Sequence, residues 1–388
     1  MIFTDVRFVV LLAGCWLTFF AVPRVWRALV LVAWGVVFYA AYADSAVLVM
    51  LELVLAAYAI GRGRGDVVLT MLVVALLVRF RLGVDITGTS RALAAAPTTE
   101  GILLPLGFSF LAFELLHYVI ECRSGRLQPA PLVDVAAFAL FFPCRIAGPI
   151  RRFPQFVSAL AAATPTVENV YAGALRVLTG LFKKLVIADV LALSAAEVSY
   201  AATPAHVWRV VLAFGVQIYV DFSAYSDMAI GASRMLGFAV PENFNWPYLS
   251  PSIQEFWNRW HMSLSAWARD YVFTPTGRRL FKTRLKTSPT AIAAFSYLAT
   301  FLVIGAWHGL TPNFLVWGAY QGLLLTAYYI YRTHIPGGVA RSAWFQSRLA
   351  GVASVALTFM AVTIGWVPFM TDLPHSMTLL RLMFGGHP

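Results

Sequence analysis

The amino-acid sequence predicts an all-α, polytopic membrane protein, on three observations. The chain is 60% hydrophobic and only 12% charged, whereas soluble domains run near 45–50% apolar and about 25% charged. Apolar runs approaching the roughly 20 residues needed to cross a bilayer recur from one end of the sequence to the other. Basic residues gather in the short loops between those runs, as the positive-inside rule requires.

Taken in order, the runs fall at 6–22, 28–43, 45–61, 66–80, 101–121, 132–148, 169–195, 206–222, 290–307, 313–331 and 350–370. They predict about eleven spans in one integral domain covering 1–388. Leu11-Leu12-Ala13-Gly14-Cys15 resembles a lipobox, but the apolar run continues past Cys15 through Trp16-Leu17-Thr18-Phe19-Phe20. A signal peptide ends its apolar core at the cleavage site, so the segment reads as an uncleaved first span. Arg24 and Arg27 mark one side of the membrane, Asp44 the other, and Arg62, Arg64, Arg123 and Arg126 the first side again. That alternation predicts an outward N-terminus. Beyond Arg145 it blurs, because Arg145, Arg151, Arg152, Lys183 and Lys184 interrupt the apolar runs. Charged, non-helical backbone survives at membrane depth only where protein buries it or it lines a wet cavity, so the central third is expected to hold a site.

The formal charge of +11 invites a nucleic-acid reading, yet no soluble basic domain exists to bind one. Cys15, Cys122 and Cys144 lack CxxC spacing and predict neither a disulfide framework nor a zinc site. The one long non-spanning region, 238–289, closes on Arg278, Arg279, Lys282, Arg284 and Lys286. We read this as a cytoplasmic-face basic loop, a solvated or headgroup-facing patch before a substrate site. No internal repeat is visible, which weakens a transporter built from inverted repeats.

Within that region lies QEFWNRWHMSLSAWARDYVF, residues 254–273. On a helix at about 100° per residue, Trp257, Trp260, Leu264, Trp267 and Tyr271 form one aromatic face, and Gln254, Asn258, His261, Ser265 and Arg269 a polar stripe. Tryptophan and tyrosine favour the membrane interface, so one interfacial helix is expected, pointing a polar seam inward. An anchor whose polar face simply meets water is the alternative. A second histidine, His308, ends an apolar run between Trp307 and Gly309. Ionisable groups inside membranes are costly and tend to mark function. Gly305 and Gly309 are expected to leave room for a substrate beside the imidazole, which titrates near neutrality and suits proton transfer from a hydroxyl.

The order of motifs resembles the membrane-bound O-acyltransferase family, in the bacterial branch of alginate and peptidoglycan O-acetylation subunits and teichoic-acid D-alanyl transferases. PLGFSFLAFELLHYVIECRSG (105–125), FFPCRIAGPIRR (141–152), GLFKKLVIAD (180–189), QIYVDFSAYSDMAIGASRMLGF with PENFNWPY (217–248), the tryptophan-rich stretch and WHG (307–309) carry the resemblance across nearly the whole chain. Each motif is weakly specific, whereas the ordered set is strongly so. The resemblance implies a ring of helices around a channel, in which a cytosolic thioester donor meets an acceptor from the other face. It implies catalytic roles for His308 and His261, and substrate-binding roles for Asn258, Trp307, Gln254, Ser265, Asp221 and Tyr225. It departs from the branch at Glu114, His117 and Glu121, where relatives more often carry Gln, Ser and Asp. That trio could hold a metal, but no metal is expected, because two carboxylates and a histidine read as readily as a mutually hydrogen-bonded seam. Asn258 stands where an arginine is common, which alters the donor-headgroup contacts. The chain stops at MTLLRLMFGGHP, where many acetyltransferase relatives continue into another span.

The resulting expectation is transfer of a short acyl group, acetyl from acetyl-CoA, to hydroxyls of a cell-envelope polysaccharide, at the bacterial inner membrane. No bound cofactor is expected. A phosphopantetheinyl carrier protein is the rival donor, as in D-alanylation of teichoic acid. Expected partners are the bilayer, the cytosolic donor, and an extracytoplasmic SGNH-type transferase or polysaccharide machinery, with no nucleic acid. No Gly-x-Ser-x-Gly and no cysteine beside a histidine occurs, which disfavours a covalent acyl-enzyme on serine or cysteine. A secondary transporter or flippase, predicting matched discontinuous helices, is the alternative from another class, and a structural scaffold a third.

Overall fold

The computed structural model describes residues 2–42, 46–63, 107–336, 343 and 347–387, and among these no strand occurs. The described helices are α1 (Val6–Ala21), α2 (Arg27–Tyr42), α3 (Ala46–Gly61), α4 (Phe108–Arg123), α5 (Leu132–Leu140), α6 (Phe153–Ala162), α7 (Val167–Phe182), α8 (Asp189–Ala195) and α9 (Pro204–Met235). They continue with α10 (Ile253–Arg259), α11 (Met262–Ala268), α12 (Thr274–Leu280), α13 (Pro289–His308), α14 (Pro312–His334), α15 (Arg348–Gly365), α16 (Val367–Met370) and α17 (Leu373–Met383). Among the described residues, four stretches are long and apolar enough to cross a membrane: Arg24–Tyr42, Pro204–Met235, Pro289–His308 and Arg348–Met370. The expected span at 66–80, the start of the one at 101–121, and the side markers Asp44 and Arg64 lie outside the described residues.

Two compact units divide the chain, Met1–Leu185 with Phe222–Glu242, and Val186–Asp221 with Asn243–Pro388. In the first, a phenylalanine-rich core gathers around the FFPCRIAGPIRR segment. The expected span at 132–148 ends early, with α5 stopping at Leu140 and a short 3-10 turn at Phe142–Cys144 following. Proline lacks the N–H and clashes with a preceding helical turn, so Pro143 closes the helix. The irregular segment is buried in protein, with Phe141, Phe142, Cys144, Arg145 and Arg151 each at 2% exposure or less.

Glu114 of α4 neutralises that burial. It pairs with Arg145, and with Arg151 through bonds of 2.9 and 2.8 Å. The Arg151 guanidinium also donates to the Phe138 carbonyl at 2.7 Å and lies about 5 Å from the Phe138, Phe141 and Phe156 rings. His117 accepts the Phe153 N–H at 3.0 Å, and Glu121 takes the Arg126 guanidinium at 2.8 and 2.9 Å. Each member of the trio engages a basic or backbone group outside α4. Arg27, read as a side marker, is likewise a core residue, 8% exposed, donating to the Ala163 carbonyl at 2.7 Å over the Phe19 and Phe20 rings.

The span expected at 206–222 runs on to Met235. Small and polar residues over 223–235 hide the continuation from a hydropathy reading, and packing on α7 explains it. A Cβ at Gly173 would meet the Gly231 carbonyl oxygen at 2.6 Å, and one at Gly180 the Ala224 carbonyl oxygen at 2.6 Å. Asp227 binds Lys183 at 2.6 Å and Arg176 at 3.1 Å, and Arg176 also pairs with Glu242. Charges that interrupt the apolar pattern are thus clamped between two helices. In the second unit, Val207, Val210 and Val211 of α9 pack with Val367, Leu379, Leu382 and Met383.

Candidate active site

His308 is the last residue of α13. The helix ends there because Gly309 is extended and Pro312 opens α14 three residues later. The two helices approach backbone to backbone: a Cβ at Gly305 would strike the Phe314 carbonyl oxygen, one at Gly318 the Phe301 carbonyl oxygen, and one at Gly322 the Leu298 Cα at 2.9 Å. Small residues that allow such approach are the usual means of joining helices in membranes. A Cβ at Gly309 would run into the Phe314 ring at 2.6 Å. The expectation that Gly305 and Gly309 leave substrate room is corrected, since Phe314 occupies both spaces.

Aromatic rings enclose the half-buried His308 imidazole. Trp307 lies at 4.5 Å between centroids, Phe369 at 4.8 Å edge-on, Trp317 at 5.4 Å edge-on, and Phe314 stacks at 6.0 Å. Ring-to-ring packing then continues from Phe369 to Trp366 at 5.5 Å and from Trp366 to Trp260 at 5.1 Å. The rings around His308 thus connect to Trp260, the residue before His261. Trp257 joins it through Phe301 at 4.7 Å and Trp317 at 6.0 Å, and its indole donates to the Gln321 side-chain oxygen at 3.4 Å.

The single helix expected over 254–271 is broken. Helix α10 stops at Arg259, Trp260 is extended, His261 takes a left-handed backbone with φ 40, and α11 begins at Met262. A π-helical turn over Arg269–Phe273 ends the segment. The kink rotates the two halves, so the polar stripe does not form one inward seam. Gln254, Asn258 and Arg269 are exposed, His261 is 3% exposed, and Ser265 is half-buried. The tryptophans are core residues rather than interfacial ones, with Trp257, Trp260 and Trp267 at 8%, 5% and 6% exposure.

The remaining sequence-selected residues are dispersed. The Asn258 side chain donates to Glu255 at 3.3 Å, and the Ser265 hydroxyl donates to the Trp260 carbonyl at 3.2 Å. Asp221 accepts from the Gln217 amide at 3.5 Å. Tyr225 belongs to the first unit, where its ring meets Phe3 edge-on at 5.1 Å. Sequence reading missed Trp317, Trp366 and Phe369, which wall the His308 socket and its link to Trp260. Phe314 and Trp317, three residues apart in the first two turns of α14, carry the local signal for that wall.

Burial pushes the His261 pKa down from 6.5 to about 3, because a low-dielectric surround disfavours the cation. His261 is therefore a neutral imidazole near pH 7, fit to donate one hydrogen bond rather than to carry charge. Among the described residues, no group of three His, Cys, Asp or Glu is arranged to hold a metal ion. A half-buried imidazole suits proton transfer at a hydroxyl, and a neutral imidazole that donates a hydrogen bond suits stabilisation of a developing oxyanion.

Residues 24–364 match the description "MBOAT, membrane-bound O-acyltransferase family". The chain is 40% identical over 276 residues to "Probable alginate O-acetylase AlgI" of Pseudomonas aeruginosa, covering 70% of this chain and 49% of that protein. It is 32% identical over 274 residues to teichoic acid D-alanyltransferase of Bacillus subtilis, covering 68% of each. With peptidoglycan O-acetyltransferase of Helicobacter pylori it shares 30% identity over 320 residues, 74% of this chain and 58% of the relative. The chain spans about half the length of the alginate O-acetylases it matches.

Proposed function

The chain belongs to the membrane-bound O-acyltransferase family, and from that premise we propose that it is a multi-pass membrane enzyme of the bacterial inner membrane that transfers a short acyl group to hydroxyls of a cell-envelope polysaccharide. Acetyl from acetyl-CoA is the group and donor. The acceptor is reached directly or through a partner protein on the far side of the membrane, an SGNH-type transferase or polysaccharide machinery. The observation that carries the reading is the His308 imidazole, half-exposed in a socket of four aromatic rings at a helix end. The greater likeness to alginate O-acetylases than to D-alanyltransferases favours acetyl over D-alanyl.

In this proposal His308 is the general base. It takes the proton of the attacking hydroxyl as the oxygen bonds to the thioester carbonyl carbon. The carbon–sulfur bond then breaks, and the imidazolium returns its proton to the departing thiolate. Neutral His261 donates a hydrogen bond to the carbonyl oxygen as negative charge develops, a contribution that strengthens in a dry site. Trp307 and Ser265 line the substrate path. The exposed amides of Gln254 and Asn258 face the donor. The proposed architecture keeps about eleven spans in a ring around the path.

The test is His308→Ala in a complemented deletion strain, read as envelope acyl content with the inserted protein quantified. Loss of a positioned base costs about 10²–10⁴-fold, so acylation should fall to background at normal protein level. Near-normal acylation by stably inserted His308→Ala would falsify the assignment. Labelled acetyl-CoA against a labelled D-alanyl carrier, supplied to inverted vesicles, separates the two donors.

A further inference from the structure

Helix α11 starts on a residue whose side chain does not cap it. Four N–H groups at a helix start lack intrahelical acceptors, and Ser, Thr, Asp or Asn at the N-cap ordinarily supplies one from its own side chain. Helices α7, α10, α15 and α17 follow that rule through Thr166, Ser252, Ser347 and Asp372. In α11 the N-cap is His261, and its side chain makes no capping bond.

The missing acceptors come from Asn243, in the PENFNWPY stretch. Its carbonyl oxygen accepts the Met262 N–H at 2.9 Å. Its side-chain oxygen accepts the Ser263 N–H at 3.3 Å and the Ser263 hydroxyl at 2.6 Å. On the other side of the kink, the Asn245 N–H donates to the Arg259 carbonyl at 3.0 Å. Residues 243–245 therefore grip the chain before and after Trp260–His261. Asn243 is fully buried and Ser263 is 7% exposed, so water is a poor substitute for either partner. A left-handed backbone at a non-glycine residue persists only where its surroundings over-determine it. The only non-glycine residues with positive φ among those described are His261 and Trp246, both beside this grip.

We propose that Asn243 is a positioning residue that caps α11 in place of His261 and thereby holds the imidazole at the left-handed kink. This rests on the reading of His261 given above. An asparagine suits the post because its amide oxygen accepts both the Ser263 N–H and the Ser263 hydroxyl.

Two measurements on the full-length protein in nanodiscs test it: amide hydrogen exchange at Met262 and Ser263, and steady-state transfer from acetyl-CoA. Loss of a cap in Asn243→Ala should speed exchange at those two amides about tenfold. Displacing the neutral hydrogen-bond donor should lower kcat about 10–100-fold, with KM for acetyl-CoA within about twofold. Asn243→Asp keeps the acceptor oxygens at a helix N-terminus, where a carboxylate is favoured, and should restore both readouts most of the way. Unchanged exchange in Asn243→Ala overturns the cap. Faster exchange with undiminished kcat, or an effect on KM alone, overturns the positioning role. Should Asn243→Ala fail to insert, Asn243→Asp decides: turnover near wild type supports the acceptor role, and an inactive, well-folded Asp variant overturns it. If His261→Ala and His308→Ala both transfer normally in the same assay, the reading of the site falls instead, and the exchange result stands independently.

Discussion

His261, buried at a kink, has lost the solvation its cation would need. Its pKa falls from 6.5 to about 3, so between those values the unfolded chain binds a proton that the folded chain refuses. Stability from this residue is complete above about pH 6.5 and declines steadily as pH falls toward about 3. His261→Gln should flatten the slope of Tm against pH between 6.5 and 5 in differential scanning fluorimetry, and a slope equal to wild type would show that the imidazole is solvated. Glu114 presents the converse case. It neutralises Arg145 and Arg151, both almost completely buried, and removing one partner of a buried pair typically costs about 3–5 kcal/mol. Glu114→Gln should therefore greatly reduce the folded, inserted fraction, read by fluorescence-detected size exclusion. A normal monodisperse yield would mean that the arginines find other partners.

At the scale of elements, helix pairs depend on missing side chains. Gly173 and Gly180, seven residues apart on α7, meet Gly231 and Ala224, also seven apart on α9. The seven-residue spacing keeps both contacts on one face of each helix. Gly180→Leu places its side chain against the Ala224 backbone, which cannot yield as a flexible side chain would. It should lower the midpoint of thermal unfolding by several degrees or abolish accumulation, whereas Leu178→Ala, on the exposed side of the same helix, should change little. Equal behaviour of the two variants would refute the close crossing. The stretch 254–273 shows where periodicity misleads. Its 3-4 spacing groups Trp257, Trp260, Leu264 and Trp267, which the fold buries in its core rather than at an interface, and the backbone that buries them is two short helices joined at His261. Trp267→Ala should consequently reduce folded protein by opening a core cavity, and a stable but inactive variant would reassign Trp267 to the chemistry.

For the whole molecule, the charge pattern predicts an orientation. Arg278, Arg279, Lys282, Arg284 and Lys286 are all exposed, and by the positive-inside rule they belong on the cytoplasmic face. A cysteine at the exposed Thr283 should react with an impermeant maleimide only after the membrane is opened. Labelling in intact cells would invert the proposed path of donor and acceptor. The three native cysteines are buried, so background labelling should be low. If the loop also steers a polyanionic donor, neutralising its basic residues should raise KM for acetyl-CoA most at low salt; salt-independent, wild-type kinetics would leave it a topology determinant.

The sequence by itself determined the helical class, because hydropathy acts locally and an apolar run of span length has few other folds open to it. It also singled out His308 and His261, since an ionisable ring among tryptophans is conspicuous without any knowledge of its neighbours. Only the tertiary structure decided what each polar interruption does. Whether Lys183 lines a cavity or is clamped to Asp227, and whether Gly309 leaves space or admits Phe314, depends on segments distant in sequence. The continuation of α9 past residue 222 and the cap on α11 are decided in the same way. Asp227 and Ser233 are tolerated because α7 and Cys144 meet them, and the helix after His261 starts because Asn243 arrives from twenty residues upstream. Periodicity reports which side chains an ideal helix would bury; hydrogen bonds and ion pairs made across the fold decide where that helix stops.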